Sequence, residues 1–189
     1  MSQDIILRPF EEEDRPYLRC ICYATSFPSW KKSSRKVATV PLMFLSYFLD
    51  YQKDLAFVAV CDGAPIGYII GTTEAYPVYK AIMKKRYYPK MRKSYLFSAL
   101  YFDAFLHYHK MDRDTEAHLH INILKGFRGE GIGSALLDCL KAALAKKGIH
   151  SVDVICADRK AESYSFYEKK GFRIHQRFGG KIANLRLEF

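Results

Sequence analysis

The sequence predicts an α/β (α+β) fold, one sheet flanked by helices, and three observations carry that reading. Two apolar strands flank Asp62-Gly63, a dipeptide that favours tight hairpin turns. An alternating strand, Ala117 to Leu124, runs into a glycine-rich loop and then a helix with one apolar stripe. Two further strands, near Phe172 to Phe178 and Ala183 to Phe189, close the chain around Gly179-Gly180. A length of 189 residues favours a single domain over 1–189, with a helical, basic, Tyr-rich insert over 75–115.

The elements follow in order. Ile5 to Phe10 reads as a first strand. Glu11 to Asp14 then supplies acidic charge at the positive end of a helix from Arg15 to Tyr23, with Pro16 in its first turn. Ser33-Ser34 offers an N-cap for a second helix reaching Tyr51, and Pro41 is expected to break or kink it. Leu55 to Cys61 and Ile66 to Thr73 form the hairpin. In the insert, Tyr79 to Tyr87 and Leu96 to His109 look helical, with Pro89 separating them. Lys125 to Gly133 is the glycine loop. Ser134 to Lys147 is a helix with Leu136, Leu137, Leu140 and Leu144 on one stripe, stopped by Gly148. Ser151 to Cys156 is a strand, and Ala161 to Lys170 a short helix ending at Gly171.

Composition narrows the setting. Half the residues are apolar, enough for a core without metal or disulfides. Five cysteines, an odd count with no CxxC pair, fit a reducing compartment, and the expected location is cytoplasmic. The N-terminus lacks a basic region followed by a long apolar run, and no stretch approaches the ~18 apolar residues of a membrane span. A net charge of +10 suits a polyanionic ligand or partner without choosing one.

The order strand, glycine loop, helix gives the glycines a chemical meaning. A backbone that holds a pyrophosphate needs close approach, several N–H groups aimed at one spot, and a helix N-terminus adding its dipole. Gly129, Gly131 and Gly133 allow the approach, the following helix supplies the dipole, and Arg128 adds charge. An ordinary turn rich in glycine is the bland alternative. Gly133-Ser134 lacks the lysine of a Walker A loop. A dinucleotide fingerprint needs its third glycine where Ser134 stands, and Asp153, about 20 residues on, falls inside the next strand.

Arg128-x-x-Gly131-x-Gly133 matches the [QR]-x-x-G-x-[GA] signature of the GNAT superfamily of N-acetyltransferases. Phe166-Tyr167-Glu168-Lys169-Lys170-Gly171-Phe172 matches the second half of that family's N-x-x-A-x-x-[FL]-Y-x-x-x-G-F signature. The chain thus resembles a GNAT protein from Leu119 to Phe172. The resemblance implies a GNAT-type central mixed, mostly antiparallel sheet of six to seven strands, with the helical insert placed before the coenzyme-binding strand. His118-Leu119-His120-Ile121, Gly67 to Thr72 and the Tyr-rich insert are also similar to acetyltransferase-like domains attached to some O-GlcNAcases.

The resemblance further implies acetyl-CoA as cosubstrate. The strand at Ile121, Asn122 and Ile123 would bind the pantetheine arm, chiefly through the backbone of Ile121 and Ile123. Amides from Arg128 through Ser134 (Arg128, Gly129, Glu130, Gly131, Ile132, Gly133, Ser134), with Phe127 beside them, would hold the pyrophosphate. Tyr167 would protonate the leaving thiolate. The signature's Asn falls at Lys160 and its Ala at Ser163, so these two coenzyme contacts depart from the pattern.

Acetyl transfer to an amine also needs a base. His118, His120 and Asn122 share a strand face, and a histidine titrates near neutral pH; Glu116 is a further candidate. Structural roles for both histidines stay open. Metal binding by His107/His109 or His118/His120 lacks a completing cluster, and no metal is expected. The basic insert faces a substrate, with an acidic amine acceptor one option and a solvated helical surface another. Three functions result: an N-acetyltransferase acting on a small-molecule or peptide amine; a GNAT-fold module binding acyl-CoA or a partner without turnover; and a nucleic-acid-associated protein, which the glycine loop disfavours. No membrane partner is expected, and a monomer or homodimer fits.

Overall fold

The computed structural model describes residues 4–26, 34–94, 114–157, 162–178 and 182–189. The expected cap at Ser33, the helix from Leu96 to His109, Lys160 and the turn at Gly179-Gly180 lie outside these residues. The described strands are β1 (Ile5–Pro9), β2 (Ala56–Cys61), β3 (Ala64–Thr72), β4 (His118–Ile123), β5 (Ser151–Ala157), β6 (Arg173–Phe178) and β7 (Ile182–Glu188). They form one sheet in the order β1-β2-β3-β4-β5-β7-β6. Every pairing is antiparallel except β4 with β5. The sheet is therefore mixed and mostly antiparallel, as expected.

The hairpin turn is local chemistry. Asp62 (φ 49°) and Gly63 (φ 77°) both take positive φ, as a two-residue turn matched to strand twist requires. The first helix, α1 (Arg15–Ala24), follows a 3-10 turn at Glu12–Asp14. Asp14 is buried there and takes two hydrogen bonds of 2.7 Å from the Arg8 guanidinium.

Neither Pro41 nor Pro89 ends the helix in which it stands. The second helix splits into α2 (Ser34–Phe44) and α3 (Ser46–Tyr51), but the break falls at Leu45 and Pro41 sits inside α2. Buried Val40, Met43 and Leu45 anchor this stretch to the core, and the Leu45 N–H still reaches the Pro41 carbonyl at 3.0 Å. Packing outweighs the one backbone bond that proline removes. Likewise, Pro89 does not stop the first of the two expected helices. Helix α4 (Tyr76–Ile82) passes through a π-turn (Met83–Tyr87) into α5 (Tyr88–Ser94). The wider π-turn just before the proline makes room for its ring against the carbonyl four residues back.

Helices cover both faces of the sheet. On one face, α1, α3 and α4 pack over Val58, Val60, Tyr68 and Ile70. On the other, α6 (Ile132–Ala145) and α7 (Glu162–Lys169) pack over Ile69, Leu119, Val152 and Val154. Helix α6 approaches β3 so closely that a Cβ on Gly71 would lie 2.9 Å from Leu140 Cδ1. Helix α6 starts at Ile132, two residues before the expected position, and ends in a Schellman motif: Ile149 N–H bonds Leu144 O at 3.1 Å and Gly148 N–H bonds Ala145 O at 2.9 Å.

Candidate functional site: a splayed strand pair and its glycine loop

Strands β4 and β5 run parallel but pair only at His118↔Asp153, where Asp153 N–H bonds the Ala117 carbonyl at 2.8 Å. Beyond that point they diverge. Strand β4 stays paired to β3 along its length, from Thr72↔His118 to Gly67↔Ile123. Leu124 N–H bonds the Ile66 carbonyl at 3.0 Å, so the even-numbered residues of β4 aim their backbone groups at β3. By alternation, the N–H and C=O of Ile121 and Ile123 face the opening between β4 and β5. The Ile123 carbonyl there accepts Arg128 Nε at 3.0 Å. Asn122 points elsewhere: its Nδ2 donates to Tyr68 Oη at 2.8 Å and its Oδ1 accepts Thr25 Oγ1 at 2.9 Å.

The glycine loop lies at the open end. After a 3-10 turn at Lys125–Phe127, Gly129 (φ 91°) and Gly131 (φ 81°) both take positive φ, and Gly131 is the N-cap of α6. Side chains are excluded there by backbone conformation, since a Cβ on either glycine would meet nothing within 4 Å. Gly133 has a different reason: its Cβ would sit 3.1 Å from the Phe166 ring. The two sequence signatures therefore touch, the small residue of one accommodating the aromatic of the other.

Hydrogen bonding divides the expected pyrophosphate amides. Arg128 N–H bonds Lys125 O at 3.4 Å and Ser134 N–H bonds Gly131 O at 2.9 Å, so these two are engaged. Among the described residues, the N–H groups of Gly129, Glu130, Gly131, Ile132 and Gly133 have no backbone acceptor. They gather at the N-terminus of a 14-residue helix. Uncommitted amides and a helix dipole at one place form an anion-binding site. Phe127 packs partly buried beside the α6 core, and Ile132 is buried in it.

The second signature is a helix end. Gly171 takes φ 91°, with Phe172 N–H on Tyr167 O at 3.1 Å and Gly171 N–H on Glu168 O at 3.1 Å. This is a Schellman motif, and its characteristic apolar contact is Tyr167 against Phe172, ring centroids 5.2 Å apart. Tyr167 is buried among Phe166, Phe172 and the β5 cysteine Cys156. Burial, with Cys156 adding to it, pushes its phenol well above the usual tyrosine range and keeps it protonated. Ser163 is exposed on α7.

The base candidates part company. His118 and His120 lie on the face opposite α6, with Nε2 atoms 3.4 Å apart. The His120 ring meets Phe48 and Phe44 edge-on, at centroid distances of 5.4 and 6.0 Å. His118 is buried and lines a small open pocket. Its other walls are Phe48 of α3, Thr72 and Glu74 after β3, Tyr76 and Tyr79 of α4, and Thr115. Glu116, exposed, accepts Ser151 Oγ at 2.8 Å at the closed end of the strand pair. Glu74 and the aromatic walls were not singled out from sequence. Period-2 alternation places Thr72 and Glu74 on one side of their own segment, and the pairing that brings them to His118 has no local sign. Asp153 is a structural acid: fully buried, it accepts Arg186 Nε at 2.7 Å and Asn184 Nδ2 at 2.9 Å.

Among the described residues, no group of three or more His, Cys, Asp or Glu is arranged to hold a metal ion. No described helix is long and apolar enough to cross a membrane.

A sheet that opens between two parallel strands beside a glycine-capped helix is the GNAT fold. Residues 96–174 match the family model described as acetyltransferase (GNAT) domain. Solved structures agree in architecture. The crystal structure of SsHAT is similar at a TM-score of 0.80 and 23% identity, with 98% of each chain covered. The PaiA N-acetyltransferase of Thermoplasma acidophilum, in complex with coenzyme A, is similar at 0.61 and 16% identity, covering 98% of this chain and 99% of that one. The NatC complex bound to Gag peptide and CoA gives 0.63 and 15%, with the same coverage.

Proposed function

We propose that this chain is an acetyl-CoA-dependent N-acetyltransferase that moves an acetyl group directly onto a primary amine. The observation that supports this best is the opening between β4 and β5, with five uncommitted amides at its mouth. Those groups fit the coenzyme: an anion cradle for the pyrophosphate at Gly129–Gly133, and strand-edge backbone at Ile121 and Ile123 for the amide-bearing arm. Bound acetyl-CoA supplies an activated thioester.

The remaining work falls to this chain's side chains. With the pyrophosphate end at the mouth, the acyl end is directed inward, toward the His118 end of β4. His118 takes the proton of the attacking amine and His120, in Nε2 contact, relays it. Tyr167 holds the proton that the departing sulfur needs as the carbon–nitrogen bond forms and the carbon–sulfur bond breaks. A backbone N–H on the open side of β4 polarises the thioester carbonyl. The free cysteines agree with a reducing, cytoplasmic setting.

A module that binds the coenzyme without turnover is the second reading. Lys160 and Ser163, standing where the signature has Asn and Ala, favour it. Calorimetry with acetyl-CoA, followed by thiol release against an amine panel, separates the two. Binding with release is the expected result. Absence of binding overturns both readings, and binding without release leaves the module.

A further inference from the structure

We propose that the pocket at His118 selects an acceptor whose amine is a cation on an unbranched alkyl stem, and that Glu74 is the residue that recognises it. The proposal rests on the acetyltransferase reading and names the acceptor class of that same site. Three observations carry it.

First, among the described residues Glu74 is the only carboxylate lining the pocket, and it makes no ion pair. Its N–H donates to Thr72 Oγ1 at 3.1 Å, which holds its backbone at the wall of the pocket that His118 also lines. In a chain of net charge +10, a carboxylate left unpaired at a pocket wall is available to a cationic ligand.

Second, the other walls suit a cation with a methylene stem. Tyr76 and Tyr79 line it with rings above the buried Phe48, and rings attract cations through their negative faces. The chain already uses one of these rings so: Lys80 Nζ lies 5.8 Å from the Tyr76 centroid. Tyr79 is itself held edge-on by Tyr47 at 4.6 Å, so the wall is rigid.

Third, no lysine or arginine lines the pocket among the described residues. Among the described lining residues, an acidic acceptor would meet the Glu74 carboxylate with no lysine or arginine to offset it. The exposed Lys84, Lys85 and Arg86 of the π-turn are not among the lining residues.

The test measures steady-state acetylation and direct binding together. The acceptors are 1-aminopentane, a blocked lysine tripeptide and 6-aminohexanoate, the last adding a distal carboxylate. Glu74→Gln should raise KM for the first two by about 10- to 100-fold, with kcat at saturation within about threefold. Glu74→Asp should recover part of the loss, and acetyl-CoA affinity should not change. 6-Aminohexanoate should be the weakest acceptor of the wild type. The two cationic arms tell free amine from lysine side chain, and preference for either supports the class. Titration of the same amines, with and without CoA, gives a readout independent of turnover. Glu74-dependent binding without thiol release would sink the acetyltransferase reading and keep this one. Turnover with KM and Kd unchanged in Glu74→Gln would do the reverse. A fall in kcat alone would overturn recognition in favour of a chemical role, and a wild-type preference for 6-aminohexanoate would overturn the charge argument.

Discussion

Gly131 and Gly133 stand two residues apart in one motif, and replacing each with alanine should have opposite consequences. Gly131 holds φ 81° as the N-cap of α6, with open space where a Cβ would go. An L-residue in the left-handed region costs about 1–2 kcal/mol, and no new contact offsets it. For a domain of roughly 150–250 residues, each 1 kcal/mol moves the melting midpoint by about 2–4 °C, so Gly131→Ala should melt about 2–8 °C lower. The relaxed backbone would also turn the N–H groups of Gly131 and Ile132 away from their common centre. Acetyl-CoA affinity should fall at least about tenfold, or ~1.4 kcal/mol. Gly133 is different. It lies in the first turn of α6 at ordinary φ, and its added Cβ would meet Phe166 Cε2 and Cζ at 3.1 Å and Ile123 Cδ1 at 3.4 Å. Phe166 is only partly buried and can shift by a few tenths of an ångström. Alanine also gains up to about 1 kcal/mol of helix propensity over glycine. Gly133→Ala should therefore stay within about 1 kcal/mol of wild type and bind the coenzyme normally. Thermal melts and calorimetric titration of both variants decide the matter. Wild-type affinity in Gly131→Ala, with binding lost in Gly133→Ala, would refute the assignment of these amides to the cradle.

Three further outcomes are expected. Phe172→Ala removes a side chain that is 2% exposed and packed on Tyr167, and should cost about 3–5 kcal/mol in denaturant unfolding. Tyr167→Phe should keep the fold and lower kcat at saturating acetyl-CoA by at least about 100-fold. Because burial raises the Tyr167 phenol, the wild-type rate should show no alkaline loss from this group below pH about 10. At Asp14, burial alone would raise the carboxyl. Hydrogen bonds from the Arg8 guanidinium and the Glu11 N–H overcome that and hold it below the usual range. A depressed carboxylate contributes stability above its unfolded pKa of about 3.9 and loses it as pH falls through the folded value. Asp14→Asn should thus cost about 1–3 kcal/mol at neutral pH, the lower end reflecting a partly exposed Arg8, and flatten the acid limb of an unfolding profile.

What the sequence disclosed follows from how local each determinant is. Asp62-Gly63 dictates its own turn, and Gly148 and Gly171 close their helices with bonds spanning six residues, so hairpin and helix ends were readable. Pro41 and Pro89 sit inside helices because a proline's effect depends on what compensates it. At Pro41 the compensation is core packing by Val40 and Met43, and at Pro89 a π-turn, neither of which has a local sign. The pocket was hidden for a related reason. Phe48, Glu74 and His118 come from α3, the end of β3 and β4, and only the register Thr72↔His118 brings them together.

The Phe-Tyr…Gly-Phe signature shows where such legibility stops. Its glycine and second phenylalanine are accounted for by the Schellman closure, and its first phenylalanine by contact with Gly133. Tyr167 also belongs to that closure, through its carbonyl and its ring against Phe172. A motif match is therefore expected whether or not the hydroxyl takes part in chemistry, because the cap alone asks for an aromatic there. Only the phenolic oxygen distinguishes the roles. Tyr167→Ala would collapse the cap and the site together, whereas Tyr167→Phe preserves ring, carbonyl and packing and removes the proton donor alone. A kcat unchanged in that variant would reduce the signature to a structural device and shift leaving-group protonation to water.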